Sequence, residues 1–263
     1  MFRLFNKIDY IYFFLLIPLL LLIIFLIPEI YKYNFYLITN NPSFLSILLS
    51  NYNHNSFSHI IGNLALYFLI MMVIFGLESN KKRFYMISIV GLFIFPFLIY
   101  LLRTPIFYYI SQILINFTIT GFSGIISYFL GYLLFLSYKY LNKILKVEDN
   151  FSFFFLLFIL GVLLWIILTG KIILLIIGVF CFIYFIYLCR NTIKLLFTKI
   201  NFKKNKKLDI VKRIVLLSFL SIFMILLIPL NVMNNGLITD TITHFFGYLI
   251  GIFSAFIFNK LYR

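Results

Sequence analysis

Four polar groups interrupt an otherwise apolar sequence and are of types that perform acyl transfer. Ser123 stands between glycines in Thr120-Gly121-Phe122-Ser123-Gly124, His244 near the start of the last apolar run, and His59 with Asn63 near the start of another. A serine hydroxyl is a weak nucleophile until a base takes its proton. His244 is the obvious base, because the chain has only two other histidines, His54 and His59. Acyl transfer also needs donors aimed at the oxyanion that develops on the attacked carbonyl. His59 and Asn63 are four residues apart and share a helical face. With the Ser123 backbone N–H they would form such a hole. Gly121 and Gly124 leave the backbone around the serine accessible. Gly247 and Gly251 follow His244 on nearly one face, a small-residue seam that would bring its helix close to the serine helix near Gly131. Taken singly, each residue has a plainer role: serine packs in membrane helices, and histidine hydrogen-bonds between them.

The elements that must position these groups are set by composition. Of 263 residues, 64% are hydrophobic and only 11% charged, against roughly 25% charged in soluble domains. The chain is read as an all-α polytopic membrane protein. At about 20 apolar residues per crossing, eight spans are expected, at 10–28, 57–77, 84–102, 121–138, 151–169, 171–189, 213–230 and 241–259. At Thr169-Gly170-Lys171 two runs meet in a turn so tight that a re-entrant pair is the alternative to two crossings. Arg3 and Lys7 precede the first run as in a signal peptide, but Pro28-Glu29 follows it in place of a small-x-small cleavage site, so it is read as a retained span.

The +15 net charge would suit a nucleic-acid binder, but the bases lie in short patches between apolar runs. That is the pattern of topogenic charge, and nucleic-acid binding is excluded on it. With both termini inside, 19 of the 22 bases fall on inner segments, leaving Lys32, Arg103 and Lys171 outside. Spans two, four and eight then run from outside to inside, each with its polar group near its own start. His59, Ser123 and His244 therefore lie at one depth, just below the outer surface. An ionisable group at that depth is costly and marks a functional site by default.

Other features are quieter. Cys181 and Cys189 are eight residues apart in one apolar run, roughly 12 Å along a helix, which is too far for a disulfide. There is no Cys/His spacing of the metal-binding kind, and neither a metal nor an organic cofactor is expected. Two outer segments exceed what turns require. The first includes Ser43-Phe44-Leu45-Ser46-Ile47-Leu48-Leu49, apolar enough for the interface. The second ends in Asn116-Phe117-Thr118, a sequon match whose closeness to the membrane favours chance. Without repeats or low-complexity linkers, residues 1–263 are read as one membrane domain.

Three elements, in this order, resemble the rhomboid family of intramembrane serine proteases: His54-x4-His59-x3-Asn63, then Gly121-Phe122-Ser123-Gly124 with Gly131-Tyr132, then His244-x2-Gly247-x3-Gly251. The resemblance covers spans one to four and the last two. It implies a Ser–His dyad, with Ser123 as nucleophile and His244 as general base. His59 and Asn63, with main-chain N–H groups near Phe122 and Ser123, would supply the oxyanion hole, and His54 would support the site. It further implies a helical bundle with a cavity open to the outer face, a membrane-embedded first loop and a lateral gate around span seven.

The chain also departs from the family. A six-span core would carry a two-span insertion at about 151–189, and an even insertion keeps the last span in its required direction. Ser127 stands where many relatives have an aromatic that packs on the catalytic histidine, and Tyr128 is about 100° further around the helix. The usual first-loop Trp-Arg pair is missing, the lone tryptophan being Trp165. Glu78 stands near a family glutamate, at a longer spacing. Asp240, four residues before His244, invites a Ser-His-Asp triad, although Thr239-Asp240-Thr241 reads better as a helix cap.

The expected protein is a multi-pass enzyme of a prokaryotic cell membrane, cutting transmembrane protein substrates near the outer end of a helix of weak helicity. Membrane lipids are its other expected partners, with Lys203 to Lys207 placed to touch anionic headgroups, and the oligomeric state is left open. Two alternatives stand beside it: a rhomboid-like protein that binds transmembrane helices without cutting them, and a transporter or channel using His59, Asn63 and His244 as a polar path. The first is disfavoured because serine and histidine are both kept, the second because there is neither an inverted repeat nor a mid-span acid.

Overall fold

The structure is a computed structural model that describes residues 4–38, 42–102, 118–119, 121–145, 233–234, 237–238 and 241–262, with separate helical positions between 179 and 194. The chain divides into two compact units, Met1–Leu133 with Met233–Arg263, and Leu134–Val232. Almost all of the expected 151–189 hairpin, the 213–230 span, Asn116 and Phe117 of the sequon, Trp165, Cys181, Cys189, Asp240 and the basic stretch from Lys199 to Arg213 lie outside the described residues.

The described chain is mostly helical. In the first unit, α1 (Lys7–Leu26), α3 (Phe57–Leu77) and α4 (Lys81–Leu102) are each long and apolar enough to cross a membrane, as is Thr243–Leu261 within α6 (Thr241–Leu261). A short helix, α2 (Phe44–Leu49), lies in the segment between α1 and α3, and α5 (Ser123–Leu145) begins at the serine. A one-turn helix at Glu29–Lys32 runs into a 3-10 turn at Tyr33–Phe35, and there are two ladders of two residues among the described residues. In one, β1 (Leu37–Ile38) runs antiparallel to β2 (Thr118–Ile119), with Leu37 opposite Ile119 and Ile38 opposite Thr118. In the other, β3 (Met233–Asn234) pairs with β4 (Leu237–Ile238) just ahead of α6.

Caps set where the helices start. Asn6 and Asp9 form a reciprocal capping box, so α1 begins before its apolar run. Ser56 accepts from the His59 N–H at 3.2 Å, and Asn80 accepts from the Arg83 N–H at 3.0 Å. Each cap satisfies a donor that the first turn leaves free. Two helices contain a wider π turn, Tyr12–Leu16 in α1 and Val90–Ile94 in α4.

A cluster of polar groups around Glu78 and Arg83 ties the helices together. Arg83 and Glu78 pair with Nη2–Oε1 at 2.5 Å and Nε–Oε2 at 3.3 Å, both side chains being buried. Arg83 Nη1 also donates to Asn259 Oδ1 at 2.7 Å, and the Tyr132 hydroxyl donates to Glu78. Asn80 Nδ2 donates to the Tyr262 carbonyl at 3.0 Å. Asp9 is buried against Lys81, at 2.7 Å, and the Tyr85 hydroxyl. Buried charges persist where partners and hydrogen bonds are complete, and these join α1, α3, α4, α5 and α6. Beside them Phe5, Phe13, Phe75 and Phe84 pack ring against ring. Ile11, Leu15, Leu19 and Ile23 of α1 are exposed, an apolar face that water would disfavour and a bilayer would not.

Candidate active site

Two tethers deliver Ser123 to the start of its helix. The β1–β2 ladder holds the chain at Ile119, and the Gly121 N–H donates to the Ser50 carbonyl at 3.0 Å. Gly121 then takes φ +130°, a conformation that side chains rarely adopt, and the chain turns into α5. The Phe122 ring is fully buried, 5.6 Å from Tyr52 and 5.5 Å from Tyr67 between ring centroids. With its predecessor anchored inward, Ser123 stays half-exposed at the helix N-terminus.

His244 reaches Ser123 from α6, with Nε2 2.7 Å from the serine Oγ. The approach depends on a seam of small residues. A Cβ on Gly131 would fall on the Tyr248 carbonyl oxygen, and one on Gly251 on the Tyr128 carbonyl oxygen. A Cβ on Gly247 would stand 2.6 Å from the Gly124 carbonyl oxygen, and one on Gly124 2.5 Å from Thr243 Cγ2. Ser127 belongs to this seam: its Cβ lies 3.2 Å from the position of a Gly247 Cβ, and its hydroxyl donates to the Ser123 carbonyl at 2.8 Å. Tyr128 turns the other way. Its ring covers Gly91 of α4, and its hydroxyl donates to the Ile87 carbonyl at 2.9 Å.

The remaining polar residues form a second cluster. The space that a Cβ on Gly121 would fill is bordered by His59 Cε1 at 3.0 Å, His59 Nε2 at 3.3 Å and Ser123 Oγ at 3.6 Å. His59 therefore flanks the serine across the bare face of a glycine. Asn63, one turn further along α3, is buried with Nδ2 2.8 Å from His54 Nε2, and the Phe122 N–H points to the same nitrogen at 3.5 Å. The structure thus pairs Asn63 and the Phe122 amide with His54, while His59 stacks edge-on against His54 at 5.0 Å between ring centroids. Burial, helped by the neighbouring His59, pushes the His54 imidazole down to about 4. It is therefore neutral at neutral pH. Asn53 Oδ1 accepts from the His54 backbone N–H at 2.9 Å, which fixes the turn before α3.

All eleven residues singled out in the sequence, from His54 to Gly251, lie in this one unit. Sequence reasoning passed over Ser50, Tyr52, Tyr67 and Thr243. Tyr67 had a readable signal, since it follows Asn63 by four residues and so shares its face. Thr243 and Ser50 had none, because what they contribute is a methyl contact and a carbonyl. Glu78 lies in the Arg83 cluster instead. Among the described residues no group of three His, Cys, Asp or Glu side chains is placed to hold a metal ion. The arrangement offers a hydroxyl nucleophile, a base in hydrogen-bond reach and adjacent donors, the parts that acyl transfer needs. No protein-family model matches this chain, and neither do the curated proteins or solved structures compared with it.

Proposed function

We propose that the chain is a rhomboid-type intramembrane serine protease that hydrolyses peptide bonds in or near transmembrane helices. The observation that carries this reading is the 2.7 Å contact between Ser123 Oγ and His244 Nε2, made by residues 121 apart in sequence. His244 Nε2 takes the hydroxyl proton as Oγ attacks the substrate carbonyl carbon. The tetrahedral oxyanion is met by donors from the His59, Asn63 and main-chain cluster. His244 then passes its proton to the leaving amine as the C–N bond breaks. Water, giving its proton to the same nitrogen, next attacks the acyl carbon, and His244 returns that proton to Ser123 Oγ as the ester bond breaks. No step calls for a metal or an organic cofactor.

In this reading the membrane domain has eight spans, with both termini cytoplasmic and the site opening outward. Substrates unwind to expose a carbonyl, which favours helices rich in glycine and other poor helix formers. The basic inner segments fix topology and meet anionic lipid.

The test is cleavage of a single-span substrate in liposomes by wild type, Ser123→Ala and His244→Ala, with folding checked for each. Loss of cleavage in both variants is the expected result. Cleavage unaffected by either would remove the mechanism. A serine-directed phosphonate that labels wild type but not Ser123→Ala would separate an enzyme lacking its substrate from a non-cutting binder.

A further inference from the structure

We infer that His54 is the positioning residue for the Asn63 side-chain amide, which it holds through Nε2 as a neutral imidazole protonated on Nδ1. A backbone N–H can only donate, and that of Phe122 points at His54 Nε2 from 3.5 Å. Nε2 is therefore the unprotonated nitrogen, and the ring proton is on Nδ1. It follows that the Asn63 atom 2.8 Å away is the amide nitrogen, donating. A flipped amide would set its oxygen against a nitrogen lone pair. His54 thus decides which end of the Asn63 amide faces which way.

The consequence for chemistry is one of direction. An amide nitrogen has two hydrogens; His54 takes one, and the second is left for an oxyanion at Ser123. Only this last clause rests on the protease reading. The imidazole is a rigid reference for the purpose, being fully buried and packed edge-on against His59, on a backbone whose N–H donates to Asn53 Oδ1. It links three pieces of chain that the site needs in register: the turn before α3, Asn63 within α3, and the serine segment at Phe122. His54 is not itself a catalytic residue, because it acts through Asn63.

The test uses the full chain with ¹⁵N-labelled histidine, as wild type, Asn63→Leu, His54→Gln, His54→Asn and His54→Leu. The His54→Gln spectrum assigns the His54 signals by their loss. Nε2 is expected to give an unprotonated, pyridine-type signal that moves in Asn63→Leu. A protonated Nε2, or a signal that Asn63→Leu leaves in place, would overturn the proposal. Glutamine can set its amide oxygen where Nε2 stood, whereas asparagine and leucine put no acceptor there. His54→Gln is therefore expected to keep kcat within about 10-fold of wild type. His54→Asn and His54→Leu should lose roughly 10²-fold in kcat at unchanged KM, the scale of one oxyanion donor. Equal kcat in His54→Gln and His54→Leu would also overturn it. If wild type neither cleaves nor takes up the phosphonate, the protease reading falls, and the ¹⁵N result still decides the role of His54.

Discussion

Gly251 and Tyr128 meet backbone to backbone, since a Cβ on the glycine would fall on the tyrosine carbonyl oxygen. Gly131 repeats the relationship in reverse, against the Tyr248 carbonyl oxygen. The separation of α5 and α6 is thus set by two hydrogen atoms, and the Ser123–His244 distance inherits it. Backbone cannot yield as the end of a flexible side chain can.

Gly251→Ala and Gly131→Ala should therefore each push α6 away from α5. A shift of about 1 Å in a reacting pair can reduce rate by about 10²-fold, and that is the loss expected in cleavage, together with a lower unfolding midpoint in detergent. Gly62, around which a Cβ would meet nothing within 4 Å, is the control. Gly62→Ala should leave cleavage intact and stabilise α3 by about 0.5–1 kcal/mol. Equal behaviour of the three variants would show that the seam does not set the geometry.

Gly121→Ala combines two penalties. The backbone at φ +130° becomes strained, and the new methyl stands 3.0 Å from His59 Cε1. Strain of this kind costs about 1–3 kcal/mol, so a modest fall in stability is expected alongside a larger fall in kcat. The comparison of the two, by thermal unfolding and by turnover, is the check. A variant destabilised but fully active would mean that His59 does not flank the reacting atoms.

Arg83→Leu leaves the Glu78 carboxylate buried without its guanidinium, and about 3–5 kcal/mol of stability should be lost. Removing both charges, as Glu78→Leu with Arg83→Leu, should cost less than the sum of the single changes. A double-mutant cycle in mild detergent measures the coupling, and simple additivity would contradict the pairing seen here.

The pH dependence follows from His54. Its folded-state value of about 4 lies below the ordinary 6.5, so between those values the unfolded chain binds a proton that the folded chain does not. Stability is full above pH 6.5 and falls as pH drops towards 4, by about 3 kcal/mol in all. Below pH 4 this contribution changes no further. Wild type compared with His54→Gln across that window isolates the effect. Two parallel stability profiles would show that His54 is not held neutral.

Why part of this was readable in the sequence, and part was not, can be seen at particular residues. The extents of α3 and α6 were legible because apolar runs end at capping residues and charges. The order of the three polar elements was legible because spacing along one helix needs only local geometry. Partners across elements were not. Asn63 reads as a neighbour of His59 on its own helix, yet its bond goes to His54, which sits in a turn whose path no periodicity announces. Arg83 and Lys32 counted as topogenic bases. In the structure both are buried, Arg83 on Glu78 and Lys32 on Glu29, with Nζ–Oε1 at 3.3 Å for the latter pair. A charge tally registers sign and position but not pairing. Tyr128, one place along from Ser127, packs on Gly91 because α4 lies on that side, which the angle around α5 alone could not say.

The π turn at Val90–Ile94 has a consequence for how this chain tolerates insertions and deletions. The Phe95 N–H reaches back five residues to the Val90 carbonyl, so that turn holds one residue more than a regular helix of equal height. Deleting a single residue there would tighten the turn while leaving both flanking halves of α4 on their present faces. Anywhere else in the helix the same deletion would rotate everything beyond it by about 100°. The damage would centre on the widened turn itself, where the Leu92 carbonyl now accepts the Tyr52 hydroxyl at 2.5 Å and the Tyr128 ring covers Gly91. Val90–Ile94 is thus a place where the length of α4 can drift by one residue without scrambling the helix, with the grip of Tyr52 as what is given up.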